Sequence, residues 1–319
     1  MRFGFLMDPL TTIQVGHDTT FAFMQEAFRR GHEVLAIEQR DLSFQRDQAY
    51  GRTRRVTVHE GDTARPFSSE PPASRPLGEL DVLFLRKDPP VDVDFLHATQ
   101  LVELAGERLP FFINEPSGLR TANEKLSALL FPDLVPPTVV TADAGELRAF
   151  VDSVGGEAVF KPVDGFAGRG ILFASKKDRN FNSILELSTL RGTQAVMAQA
   201  YLPESREGDK RILLLDGKPL GAVLRVPSEH DLRGNIAAGG KAVKTVITPR
   251  DREICERLAP TLKRLGLHFV GIDVIGRYLT EVNVTSPTMA VEIDALDGVN
   301  IERDVIDFAE KQAVGRTRS

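Results

Sequence analysis

Twenty residues, 269–288 (FVGIDVIGRYLTEVNVTSPT), constrain this chain more than any other stretch. Val, Ile and Leu dominate it and Gly276-Arg277 supplies a tight turn, so it reads as two strands of one hairpin. Alternation along a strand puts Glu281 and Asn283 on one face and Thr280, Val282 and Val284 on the other. Where Asp273 points depends on the register. A three-residue loop pairs Ile275 with Leu279 and sets Asp273 opposite Glu281; a two-residue loop turns Asp273 to the wrong face. With Asp273 included, the cluster offers hard oxygen ligands of the kind Mg²⁺ takes alongside waters and nucleotide phosphates. The plain alternative is an ordinary hairpin with a solvated polar face.

The 319 residues exceed what one apolar core normally organises, so two domains are expected. An apolar fraction of 42% and a charged fraction of 27% are those of an ordinary soluble globular protein. No apolar run reaches the roughly 18 residues that a membrane span needs. The opening MRFGFLMDP is broken by Asp8-Pro9 and reads as a first strand rather than a signal peptide. Cys255 is the only cysteine, which excludes an intramolecular disulfide framework and fits a cytoplasmic chain; its helical setting points to packing rather than nucleophilic chemistry. Six scattered histidines show no zinc-site spacing. A net charge of −5 argues against a nucleic-acid binder, so anionic ligands must be met by local basic clusters.

In chain order, residues 2–7 form a short buried strand, 20–30 a helix with Phe21, Met24, Ala27 and Phe28 on one stripe, and 34–38 a second strand. That order opens a parallel α/β sheet. Residues 56–58 read as a strand and 66–76 as a Pro/Ser-rich loop. A clear strand, 81–85, runs into Arg86-Lys87-Asp88-Pro89-Pro90, a candidate anion site or a solvated loop at a strand's carboxyl end. A helix over 94–107 and a strand over 111–114 complete this unit. Further on, a strand delivers Lys161, then the glycine-rich loop 165–170, then another strand. This is neither GxxxxGK[ST] nor GxGxxG, both of which lead into a helix. Such a hairpin can fold its amides over phosphates with the lysine as a point charge, or be only a turn. The strand over 195–198 leads into 199–202, whose backbone could serve a purine ring. Two strands span 209–225, and 226–242 reads as a long, positively charged mobile loop. Thr248-Pro249-Arg250-Asp251 starts a helix with Ile254, Leu258, Leu262 and Leu265 as its buried stripe and Pro260 as a kink.

NEKL at 123–126, FKP at 160–162, the glycine loop, QAYL at 199–202, GDKR at 208–211, RGNIAAGG at 233–240 and TEVNVTSPT at 280–288 together resemble the ATP-grasp ligases, and among them the prokaryotic glutathione synthetase family. The likeness covers nearly the whole chain, including RKDPP. It implies an N-terminal α/β substrate domain (1–122), a two-lobed ATP-grasp domain (123–310, dividing near 200) and a flexible tail (311–319). The implied activity is ATP-dependent joining of γ-glutamylcysteine to glycine through an acyl phosphate, in a cytoplasmic homotetramer. It implies that Lys125, Lys161, Gly165, Phe166, Ala167 and Gly168 meet the ATP phosphates. Gln199, Ala200, Tyr201 and Leu202 line the adenine site, with Asp209 near the nucleotide. Asp273, Glu281 and Asn283 hold Mg²⁺, with Mn²⁺ as an alternative. Arg211, Arg233 and Lys161 carry catalysis. Arg86, Arg211, Arg225, Arg233, Asn235, Asn283, Ser286 and Thr288 meet the substrates. Ala200 stands where the family often has asparagine, and MAVEID lacks a basic residue before Glu292. The rivals are an ATP-grasp ligase that adds glutamate, and a nucleotide-binding regulator without turnover.

Overall fold

The computed structural model describes residues 1–228 and 239–316, the last by its backbone alone. The first sheet is built from β1 (Arg2–Met7), β2 (Glu33–Glu38), β3 (Leu42–Gln45), β4 (Gln48–Val58), β5 (Phe67–Ser69), β6 (Ala73–Pro76), β7 (Val82–Arg86) and β8 (Phe111–Ile113). Strands β2, β1, β7 and β8 run parallel, as the strand–helix–strand opening requires. The helices among them are α1 (Thr19–Arg29), α2 (Val93–Val102) and α3 (Pro116–Thr121). Helix α1 starts where the Asp18 carboxylate accepts from the Phe21 amide at 2.8 Å. The segment read as a Pro/Ser-rich loop is instead two short edge strands, β5 and β6, both paired with β4. Pro76 is tolerated there because an edge strand need not donate on both sides.

The second unit is an antiparallel sheet in the order β11-β10-β12-β9: β9 (Thr138–Thr141), β10 (Glu157–Pro162), β11 (Leu172–Ser175) and β12 (Val196–Ala200). Helices α4 (Ala144–Ser153) and α5 (Phe181–Ser188) cover one face. It has its own core, with Leu147, Val151, Phe160, Phe181, Leu185 and Ala198. Ahead of it, 123–126 leads into a 3-10 turn, Leu126–Leu130.

The third sheet runs β15-β14-β13-β16-β17: β13 (Asp209–Leu215), β14 (Lys218–Val226), β15 (Lys241–Lys244), β16 (Phe269–Ile275) and β17 (Tyr278–Asn283). Helix α6 (Pro249–Arg264) starts with the expected Thr248–Asp251 capping box and contains Pro260. It sets Ile254, Leu258 and Leu262 against Ile212, Leu214, Ile272 and Val274 on one face of the sheet. Leu213, Val223 and Phe269 on the opposite face share a core with Phe3, Phe5, Phe23 and Phe84 of the first sheet. Helices α7 (Ala290–Asp297) and α8 (Ile301–Arg316) close the chain, and Val305, Ile306 and Ala309 of α8 join that same core. Two of the three cores therefore cross residue 122. Residues 311–316, expected in a frayed tail, continue α8 with Ala313 buried.

One side chain fixes the hairpin to the first sheet. Buried Asn114, just past β8, donates from Nδ2 to the carbonyls of Phe269 (2.8 Å) and Val284 (2.7 Å), and its Oδ1 accepts from the Phe269 amide at 2.8 Å. It thus holds the start of β16 and the exit of β17 together. Asn114→Ala leaves three buried backbone groups without partners. Its expected cost is about 3 kcal/mol of folding stability, read as a lower urea midpoint at unchanged slope; an unchanged midpoint would show that the clamp contributes nothing.

Candidate active site

The hairpin resolves the register question in a way that neither loop length alone allows. The turn has two residues, so Ile275 pairs with Tyr278 and Val274 with Leu279. The register then shifts between Val274 and Asp273, leaving Thr280 as an extra residue, and Asp273 pairs with Glu281. Thr280 Oγ1 donates to the Asp273 carbonyl at 3.1 Å. The β-bulge therefore delivers the arrangement expected only from a longer loop.

Pairing across the sheet extends this into a row. Asp273 lies opposite Arg211 on β13, and Arg225 on β14 lies opposite Asp209, two residues from Arg211 on the same strand face. Asp273 accepts from Arg211 Nε at 2.5 Å and Nη2 at 3.0 Å, and its Oδ2 lies 2.9 Å from Arg225 Nη2. Arg225 also donates to both oxygens of Asp209, at 2.6 and 2.7 Å. Asn283 Nδ2 adds a bond to Asp273 at 3.2 Å. Burial opposes the Asp273 charge, but Arg211 and Arg225 outweigh it and hold the carboxyl far below the usual range. Burial likewise works against the Arg225 charge, and Asp273 with Asp209 overcomes it, raising the pKa above the ordinary arginine value. Gly271 makes room for the row: a Cβ there would lie 2.9 Å from Pro287 Cβ and 3.1 Å from Arg211 Cδ.

Two lysines face this row. Lys125 donates to the Gly165 carbonyl and sits 3.8 Å from Glu281. Lys161 donates to Gln199 Oε1 at 2.9 Å, and Gln199 Nε2 donates to Thr138 Oγ1 at 3.1 Å. Burial pushes the Lys161 pKa down, Glu281 pulls it up and Lys125 lowers it again. In the glycine loop, Ala167, Gly168 and Gly170 have positive φ (51°, 74° and 72°), and Arg169 lies over the Phe166 ring at 4.9 Å.

Other expected residues sit apart from the row. Strand β12 lies inside its sheet, and the amides of Ala200 and Tyr201 already donate to the Pro137 and Glu157 carbonyls. Tyr201 packs edge-on against Phe173, beside partly exposed Leu202. Arg86, expected among the substrate contacts, is only 3% exposed. Its guanidinium lies 5.7 and 5.6 Å from the rings of Phe23 and Phe269 and donates to Thr20 Oγ1 and the Pro287 carbonyl. Burial lowers its pKa to about 10, against the pull of Asp88 and Asp18, and Nη1 has no partner among the described residues. Ser286 Oγ reaches the Arg86 carbonyl at 3.5 Å, and Thr288 is exposed. Arg233 and Asn235 lie outside the described residues.

Four contributors escaped the sequence reading: Asn114, Gly271, Thr280 and Glu124. The Glu124 carboxyl is raised by burial and by Glu281, while its backbone carbonyl accepts from the Val282 amide at 2.8 Å. It belongs to the NEKL motif, the one signal that singled it out. The oxygen donors Asp273, Glu281 and Asn283 share one face and fit a hard divalent cation once Asp273 parts from its arginines. Among the described residues no group of three or more His, Cys, Asp or Glu is gathered for a metal. No helix among them is long and apolar enough to cross a membrane.

With this geometry in hand, comparison with known proteins is direct. The family model for the prokaryotic glutathione synthetase N-terminal domain matches residues 1–120, and that for the ATP-grasp domain of the same family matches 124–298. A protein of Gloeobacter violaceus named glutathione synthetase is 53% identical over 314 residues, covering 97% of this chain and 96% of that protein. The one from Synechocystis sp. is 48% identical over 320 residues, covering 98% and 100%. Among solved structures, D-cycloserine synthetase DcsG aligns with a TM-score of 0.66 at 14% identity, over 96% of this chain and 99% of that one. ATP-grasp ligase PsnB with a minimal precursor aligns at 0.64 and 18% identity, over 97% and 98%; at such identities both speak for the fold alone. Use of ATP and of a divalent metal comes with the family. The chain belongs to the prokaryotic glutathione synthetase family of ATP-grasp ligases.

Proposed function

We propose that this chain is a glutathione synthase that joins γ-glutamylcysteine to glycine, with ATP becoming ADP and phosphate through an acyl phosphate. The observation that carries the reading is the row Arg225, Asp209, Arg211, Asp273 and Glu281 across four strands, faced by Lys125 and Lys161. The row holds cations and carboxylates but no nucleophile. Cys255 is buried in α6, its thiol pushed up to about 12 by burial and Asp251. The attacking group is then the substrate's own carboxylate. Its oxygen bonds to the γ-phosphorus as ADP leaves; the glycine amine then attacks the acyl carbon, phosphate departs and the amine gives up a proton. What the protein contributes is alignment and charge stabilisation.

Lys125 and Lys161 trade their internal acceptors, the Gly165 carbonyl and Gln199 Oε1, for phosphate oxygens. Arg211 and Arg233 offer planar forks to a carboxylate or to the transferred phosphoryl group, and Arg225, its fork held by Asp209, adds its positive charge to the same substrate site. Arg86 acts from behind, through Nη1 and through its hold on the Pro287 carbonyl. Asp273, Glu281 and Asn283 hold Mg²⁺, with Mn²⁺ the alternative, and the bound ion supplies Lewis-acid stabilisation of phosphate oxygens. The loop 165–170 folds over the phosphates. The chain works in the cytoplasm as a homotetramer, with residues 1–122 as the substrate domain and 123–310 as the ATP-grasp domain.

Three measurements test this reading. Glu281→Gln keeps the shape of the side chain and removes its charge; turnover should fall by at least about a hundredfold, while the circular dichroism spectrum is kept. Near-normal turnover of the folded variant at saturating Mg²⁺ would end the metal assignment. With glycine omitted and hydroxylamine added, the enzyme should form ADP and the hydroxamate of γ-glutamylcysteine. AMP in place of ADP would sink the acyl phosphate route. Limited proteolysis should nick 165–170 in the free protein, and ATP, Mg²⁺ and γ-glutamylcysteine together should protect it; equal cutting in both states would rule out closure of this loop.

A further inference from the structure

We propose that Asp209 is a positioning residue: it anchors Arg225, so that a divalent cation taking Asp273 from the two arginines releases only the Arg211 fork. The inference rests on the metal reading above and concerns residues behind the metal's own donors.

Partly buried Asp209 and the buried side chains of Arg225, Asp273 and Arg211 form one line of ion pairs, with two negative and two positive charges. The two arginines are not held equally. Arg225 has both oxygens of Asp209, at 2.6 and 2.7 Å, in addition to Asp273 at 2.9 Å. Arg211 has Asp273 alone within ion-pair distance among the described residues. A buried guanidinium without a counter-charge is strongly destabilising. When a cation draws Asp273 away, Arg225 keeps a bidentate partner and its place. Arg211 keeps none, and an anionic oxygen of the substrate or of the phosphoryl group becomes its replacement partner. Metal and anion binding are thereby linked, each favouring the other. Without the Asp209 charge, Asp273 would be the one ion-pair partner left to Arg225 among the described residues, and the metal would have to displace two committed guanidinium groups.

The cheaper explanation is that Asp209 attracts the cation by its charge alone, and a double-mutant cycle separates the two. Mn²⁺ binding to the full-length protein, with a non-hydrolysable ATP analogue present, is followed by electron paramagnetic resonance. Asp209→Asn should weaken Mn²⁺ binding about tenfold in the otherwise wild-type protein, the size of one strongly coupled contact, and less than about twofold in an Arg225→Met background. Excess Mn²⁺ should also rescue much of the turnover of Asp209→Asn. An equal loss in both backgrounds, or no loss in either, overturns the proposal while leaving the metal site itself standing. If Asp209→Asn does not fold, Asp209→Glu, which keeps the charge but displaces it by one methylene, takes its place in the cycle with the same two outcomes. A wild-type protein that binds no Mn²⁺ removes the metal reading, and this inference with it.

Discussion

Strand β17 carries one residue more than its partner needs, and the site depends on that bulge. Side chains alternate with a period of two, so a regular continuation from the Gly276-Arg277 turn would set Asp273 and Glu281 on opposite faces. Thr280 absorbs the extra position and bonds back to the Asp273 carbonyl. From there on, Glu281 and Asn283 share a face with Asp273, and Val282 turns to the core beneath α6. Strand pairing then carries the polar face outward, through Arg211 to Asp209 and Arg225.

The same sheet face is apolar at one end and charged at the other. Leu213, Val223 and Phe269 bury against the first sheet, while Arg211, Arg225 and Asp273 lie two to four residues further along the same strands. Several buried charges of one sign would destabilise such a place, so they are paired with one another. Lys125 and Lys161 follow the same rule largely with neutral hydrogen-bond partners, a backbone carbonyl and an amide oxygen, with Glu281 3.8 Å from Lys125. A site of this kind need not be assembled by its ligands. In the function proposed above it exchanges internal partners for external ones, which would keep the desolvation cost nearly constant while anions and a cation enter.

The first and third sheets meet around shared phenylalanines, with α8 packed into the same core, whereas the second sheet has a core of its own. The Asn114 clamp and the enclosed Arg86 both lie at the joint between first and third sheets. Lys161 comes from the separately cored sheet and faces a row built on the third. Lys161 and the arginines thus stand on bodies with different packing, a suitable arrangement for a cleft that must admit nucleotide, whereas Lys125 precedes a turn that packs into the core beneath the third sheet.

The sequence alone determined the chemistry of the site, because it resides in residue types and short spacings: the i, i+2 pair Glu281 and Asn283, the lysine ahead of a glycine loop, Thr248 and Asp251 at the start of α6. Motif order was enough to indicate the family. Tertiary structure alone decided which of these groups meet. The bulge at Thr280 has no local signature, since threonine suits a regular strand equally well. Strands β5 and β6 exist only because β4 offers its edges to a Pro/Ser-rich segment of little strand propensity. Arg86 sits at a strand end, where an exposed fork is the natural expectation, yet Phe23, Phe269 and the Pro287 carbonyl, from distant parts of the chain, enclose it. Asn114 likewise looks like any residue after a strand until the hairpin, more than 150 positions away, brings it three backbone groups to bond. Local sequence encodes periodicity and chemistry, but partners that distant come together only when the cores pack.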